Sequence, residues 1–204
     1  MYFFDLLDSE SETIVPVEFY FKSFDQDFSM QMHSHDNYEF MYAESGNFCV
    51  SVIENGETVD YDVFEGGFIF ILSPLPHKLV VTEPVKICNL ELAHKPLPQD
   101  CMLRLMPILS SFECIQQIKK GGQKVVVLND TENLLTTMLR IHQILKTKFD
   151  TPERFYQLQA QVLSLFIDLG NCYYNSKYNI DDLYVFKILR LIHKNIAANQ
   201  VGGQ

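Results

Sequence analysis

The sequence predicts an α+β fold in which a β-sandwich or barrel comes first and helices follow. Three observations carry this. Between Thr13 and Ala93, seven or eight short stretches rich in β-branched and aromatic residues alternate with regular turn signals. After Pro96 and Pro98 the apolar residues fall instead at helical spacing. Thr151-Pro152 then supplies a helix start, a hydroxyl N-cap with proline at the first helical position.

Taken in order, residues 1–12 are acidic with an apolar start and read as a loose lead-in. Strands are expected over Thr13–Tyr20, Phe28–His33, Asn37–Glu44 and Phe48–Ile53. Asn55-Gly56 is a hairpin signal, because both positions tolerate positive φ, and Thr58–Val63 pairs back from it. Phe68–Leu72 is apolar throughout, which predicts cover on both faces. Lys78–Thr82 and Val85–Ala93 complete the set. Met102–Lys120 has helical spacing interrupted by Pro107, and Val125–Leu128 is an apolar run of either type. Asn129 with Glu132 resembles a capping box for a helix to about Phe149, striped by Leu134, Leu135, Met138, Ile141 and Leu145. The helix from Pro152 carries Phe155, Leu158, Val162, Leu165, Phe166 and Leu169, and with the helix before it forms an antiparallel hairpin. Asn171–Asp182 reads as a linker. Val185, Leu189, Ile192 and Ile196 mark a terminal helix.

The chain has 204 residues, 47% of them apolar, and a formal net charge of −10. This is enough for one sizeable core, and the charge argues against nucleic-acid binding by this chain as it stands. No apolar run approaches the roughly 18 residues of a membrane span. The start Met1-Tyr2-Phe3-Phe4-Asp5 lacks the basic residues and cleavage site of a signal peptide. The expected location is cytoplasmic. The five cysteines, Cys49, Cys88, Cys101, Cys114 and Cys172, are widely spaced and read as buried free thiols.

The chemistry concentrates in the stretch His33-Ser34-His35-Asp36-Asn37-Tyr38-Glu39-Phe40-Met41-Tyr42-Ala43-Glu44-Ser45-Gly46. Strand side chains alternate, so His33 and His35 share a side, and Glu39 returns to it after the bend. Two imidazoles and a carboxylate are half of a divalent metal site. Pro74-Leu75-Pro76-His77 offers the other half. On Val85–Ala93, Asn89 and Glu91 share one face, with Cys88, Leu90 and Leu92 on the other. Asn89, Glu91, Tyr38 and Tyr42 are the candidate ligand-binding residues, though a solvated face or a core role explains them as well. His94, His142 and His193 have no partner at ligand spacing.

The pattern His33-x-His35-x3-Glu39-x6-Gly46 resembles the first cupin motif, and Gly67-x9-His77 a loose second one. Two departures are plain: no glycine precedes His33, and Ser73 stands near the usual second-motif proline. The resemblance implies a cupin-like barrel (double-stranded β-helix or jelly roll) over residues 1–98. It implies His33, His35, Glu39 and His77 as a ligand set for one divalent metal, zinc, iron, manganese or nickel; the same pattern also serves as a hydrogen-bonded cluster in a barrel mouth. More specifically, residues 13–198 resemble the N-terminal part of AraC-type transcription regulators. That implies a helical hairpin at 99–172 through which a homodimer forms. It also implies, at 173–204, a linker and the first helix of a helix-turn-helix domain, carried by Ile188–Ile196. On this reading the chain senses a small-molecule effector, with carbohydrate a common class, and meets DNA only through a C-terminal domain that this chain lacks. It would have no membrane contact, no catalytic residue and no enzymatic activity. The alternative is a free-standing metal-dependent cupin enzyme, a dioxygenase or isomerase.

Overall fold

Two antiparallel sheets face each other, and a layer of helices covers the outside of the larger one. The computed structural model describes residues 3–72, 74–99, 101–147 and 151–178. The expected terminal helix, with His193, lies outside the described residues. The strands are β1 (Glu12–Phe24), β2 (Phe28–Ser29), β3 (Tyr38–Ser45), β4 (Phe48–Glu54), β5 (Glu57–Val63), β6 (Gly67–Ile71), β7 (His77–Val81), β8 (Val85–Pro96) and β9 (Val125–Asn129). One sheet has the order β1-β8-β3-β6-β9 and the other β2-β7-β4-β5. This is a cupin-like barrel closed by two facing sheets, as the sequence led us to expect.

Alternation sorts the side chains into two cores. Met41, Ala43, Ile69, Ile71 and Ile87 of the larger sheet meet Phe48, Val50, Val52, Leu79 and Val81 of the smaller one inside the barrel. The intervening residues Tyr38, Phe40, Phe68, Phe70, Cys88, Leu90 and Leu92 point outward against the helices. The larger sheet is therefore covered on both faces, which explains the unbroken apolar run of β6. The β4–β5 hairpin turns at Asn55 and Gly56, with φ of 52° and 87°. At Gly46, φ is +75° and an added Cβ would lie 2.6 Å from the Pro84 carbonyl oxygen, so only glycine fits this turn.

The helices are α1 (Leu105–Ser110), α2 (Glu113–Lys120), α3 (Leu134–Leu145) and α4 (Pro152–Tyr178). Pro107 sits in the first turn of α1, where the missing N–H costs nothing. The stripe Leu158, Val162, Leu165, Phe166 and Leu169 of α4 is buried against the sheet. Gln159, fully buried, accepts a 2.6 Å hydrogen bond from Thr13 Oγ1 and donates one of 3.0 Å to the Ile14 carbonyl.

Several expectations change. The N-terminal lead-in is anchored: Phe3–Asp5 form a 3-10 turn, and Phe3 is fully buried between Tyr38 and Phe166. The apolar run at Val125 is a strand that joins the barrel sheet beside β6, so the barrel draws on chain beyond residue 98. The expected capping box at Asn129 does not form: α3 starts at Leu134 with Asn133 in the N-cap position, and the Asp130 carboxylate accepts from the backbone N–H groups of Glu132, Leu134 and Leu135. The expected linker from Asn171 is helical to Tyr178. Its residues Cys172 and Tyr173 are buried in the same apolar core, which holds the chain in helix.

Candidate metal centre

The two halves of the predicted site are joined by the backbone. His33 and His77 pair directly, His33 N–H to the His77 carbonyl at 3.0 Å and His77 N–H to the His33 carbonyl at 2.8 Å. His77 opens β7, whose other edge pairs with β4 at Val52. His35 follows two residues after His33 on the way to β3, and Glu39 is the second residue of β3. Ligand atoms of His33, His35 and His77 all lie within 4.8 Å of one another. Glu39 Oε2 lies 2.9 Å from His77 Nε2 and 3.6 Å from His35 Nε2. The structure thus brings the three histidines within ligand reach of one another and sets Glu39 against two of them, His35 and His77.

The outward nitrogens fix the state of the inward ones. Nδ1 of His33, His35 and His77 contacts the carbonyls of Gln31, Asn37 and Leu75 at 3.1, 3.1 and 2.8 Å. A carbonyl only accepts, so each Nδ1 carries a proton, and in the neutral ring the Nε2 is the nitrogen that presents a lone pair. This is the outer-shell arrangement of metal-binding histidines. Glu39 is only 4% exposed and His77 only 2%. Their 2.9 Å contact lacks hydrogen-bond alignment, leaving Glu39 Oε2 and His77 Nε2 as buried atoms without a hydrogen-bond partner. Donors aimed at a shared cation, rather than at each other, have this geometry. The residues present therefore fit a divalent metal.

The electrostatics agree. Burial pushes the Glu39 carboxyl up, but the close contacts with His35 and His77 outweigh it and bring its pKa down to about 2. The Glu39 carboxylate raises the pKa of His35 against the opposing effect of burial. The cluster is a negative pocket that favours a cation, whether a proton on His35 or a metal shared by all.

Glu91 belongs to the same cluster. It stands directly opposite Glu39 across β3 and β8, and His35, Glu39 and Glu91 offer ligand atoms within 4.8 Å of one another. Asn37 Nδ2 donates to Glu91 Oε2 at 2.8 Å. Neither role was legible in sequence spacing, because both depend on the register of β8 against β3. Asn89 is fully buried one pleat step from Glu91, opposite Met41, on the barrel-facing side.

Tyr38 and Tyr42 are not brought to this cluster. They occupy the alternate positions of β3 and face the helical layer. Tyr38 hydrogen-bonds His94 and packs edge-on against Phe3. His142 stacks on Phe19 at 4.0 Å between ring centroids. Cys49, Cys88, Cys101, Cys114 and Cys172 are free thiols.

Fold and site together define a cupin-like α+β protein with a three-histidine, one-carboxylate cluster in its barrel. No family model matches the chain, and no curated protein matches it. Among solved structures the chain is similar to oxalate decarboxylase of Bacillus subtilis. One such structure, concerned with the Mn(II) centres of that enzyme, matches at 19% identity and a TM-score of 0.33, over 60% of this chain and 31% of the other. Another, on its substrate binding mode, matches at 18% identity and 0.33 over the same shares. The chain thus spans about a third of the length of the proteins it matches. The expectation of no enzymatic activity is corrected here: the residues brought together form a donor set of the kind that suits a catalytic metal. No helix among the described residues is long and apolar enough to cross a membrane.

Proposed function

We propose that this chain is a mononuclear metal-dependent cupin acting on a small molecule at the barrel mouth, an enzyme of the dioxygenase or isomerase kind. One observation carries the reading: three imidazoles whose Nδ1 protons are committed to backbone carbonyls converge their Nε2 atoms beside a buried carboxylate. His33, His35, Glu39 and His77 would hold zinc, iron, manganese or nickel. The metal would supply a Lewis acid that polarises a bound oxygen. The chain's own residues orient the site: the Gln31, Asn37 and Leu75 carbonyls lock the rings, and the Asn37 amide holds the Glu91 carboxylate. Metal analysis of untagged protein, beside a His77→Ala control, tests this. About one equivalent in the wild type and little in the variant supports the reading; equal, near-zero content in both sinks it.

A second reading is the effector-sensing portion of an AraC-type regulator. The observation favouring it is the contact of α4 with the sheet that carries Glu39. Phe166 packs on Phe40 and Phe70, 6.1 and 5.8 Å between centroids, on the opposite face of β3 and β6. A molecule bound in the barrel would lie one sheet away from the helical hairpin and could bias its packing, by as much as its affinity differs between the two states. Since the inward stripes are covered, a homodimer would use the outward face of α3 and α4. Reading the gene beyond the codon for Gln204 tests this: a basic continuation with two helix-turn-helix patterns supports it, and an immediate stop codon removes it.

A further inference from the structure

Asn89 has a fully buried side chain, and neither Oδ1 nor Nδ2 has a hydrogen-bond partner among the described residues. A buried amide left unpaired on both atoms is costly, and such groups in native proteins call for a reason. Its position supplies one. Across β1, β8 and β3 the residues Glu18, Glu91 and Glu39 form one row, and Tyr20, Asn89 and Met41 form the next. Opposed residues share a face, so the Asn89 amide points to the same side as Glu39 and Glu91, about 7 Å along the strand from the metal-ligand candidates. Met41, its neighbour on β3, is an unbranched side chain that repacks readily.

We propose that Asn89 anchors the tail of a small molecule whose head chelates the metal, and that this tail ends in a neutral carboxamide. The inference rests on the metal reading above. Both amide atoms of Asn89 are unpaired, so the matching group must present a donor and an acceptor side by side. A carboxamide does this without charge. A carboxylate tail is disfavoured because Glu18, Glu39 and Glu91 line the adjoining row. Their negative field is felt at Tyr20, whose phenol is raised by burial first and then by Glu39, Glu91 and Glu18.

Calorimetry on the full chain loaded with Zn(II) tests the proposal with three hydroxamates. Acetohydroxamic acid probes the head alone; the hydroxamate of succinamic acid adds a carboxamide tail; isocaprohydroxamic acid carries an apolar tail of the same shape. The expected result is binding of all three, with the carboxamide tail favoured over its apolar isostere on the order of tenfold in the wild type. In Asn89→Leu that ratio falls to about one or inverts. Equal affinities for the two tails in the wild type, or a preference that survives Asn89→Leu, overturns the assignment of Asn89 while leaving the metal in place. Failure of acetohydroxamic acid to bind the wild type overturns the metal reading and this one with it. Should Asn89→Leu not fold, the smaller, equally apolar Asn89→Ala gives the same comparison.

Discussion

Glu39 and Glu91 stand directly opposite each other on β3 and β8, two carboxylates on one face of a sheet. Like charges so placed repel. The fold answers each from a different side, Glu39 with His35 and His77, Glu91 with the Asn37 amide. Without metal, the Glu91→Gln variant is expected to be more stable than the wild type by about 0.5 kcal/mol. Urea unfolding near neutral pH reads this, and a clear loss of stability would show that Glu91 is held by attraction instead. With metal present the order is expected to reverse, because Glu91 adds to the negative field that draws the cation.

Metal should stabilise the fold through the same residues. At a hundredfold excess over its Kd, a ligand that binds only the folded state contributes about 2.7 kcal/mol, which in a chain of this size raises Tm by roughly 5–10 °C. Thermal unfolding of the wild type with and without added Zn(II) or Mn(II) should show this rise. His77→Ala should abolish it, since it removes the imidazole that lies within ligand reach of His33 and His35 and against Glu39. An undiminished rise in His77→Ala would place the metal elsewhere.

His94 predicts a separate pH dependence. Burial lowers its pKa from 6.5 to about 4, and its neutral Nε2 accepts from the Tyr38 hydroxyl. Between those two values the unfolded chain binds a proton that the folded chain does not. Stability therefore falls as pH drops below 6.5, and this loss levels off below about 4. His94 is partly exposed, so solvent screening holds the effect to about 1 kcal/mol. His94→Gln, which keeps an acceptor for Tyr38, should show a correspondingly shallower loss between about pH 7 and about pH 5. Parallel curves for the two proteins would assign the pH dependence to other groups.

Gln159 ties the helical layer to the barrel. Gln159→Leu leaves the Thr13 hydroxyl and the Ile14 carbonyl unpaired in a dry interior and should cost about 2–3 kcal/mol. Adding Thr13→Val removes one orphan and should recover part of that cost. A double-mutant cycle measures the coupling, and strict additivity would show that Thr13 and Gln159 do not depend on each other.

The barrel was legible because alternation and turn chemistry are local. Asn55-Gly56 had to turn, the unbroken apolar run of β6 had to be covered on both sides, and His33-x-His35-x3-Glu39 placed three donors on one side of the chain. The helix start at Thr151-Pro152 was equally local. The longer-range assignments were less secure. A run such as Val125–Leu128 is too short for periodicity to declare itself, and only the open edge of β6 made it a strand. The start of α3 moved from Asn129 to Leu134 because the Asp130 carboxylate takes the first two helical N–H groups, those of Leu134 and Leu135, which a motif defined by spacing did not reveal. The helix ran past Asn171 because Cys172 and Tyr173 found apolar cover.

The sequence by itself thus determined the strand alternation, the turns and the identity of the four metal-ligand candidates, since each follows from residue type at short spacing. Tertiary structure alone decided which residues share their space. Glu91 joins the cluster, Asn89 lies buried behind it, and Tyr38 and Tyr42 turn away to the helices, because strand register and the choice of covered face are set by packing between segments that the sequence holds far apart.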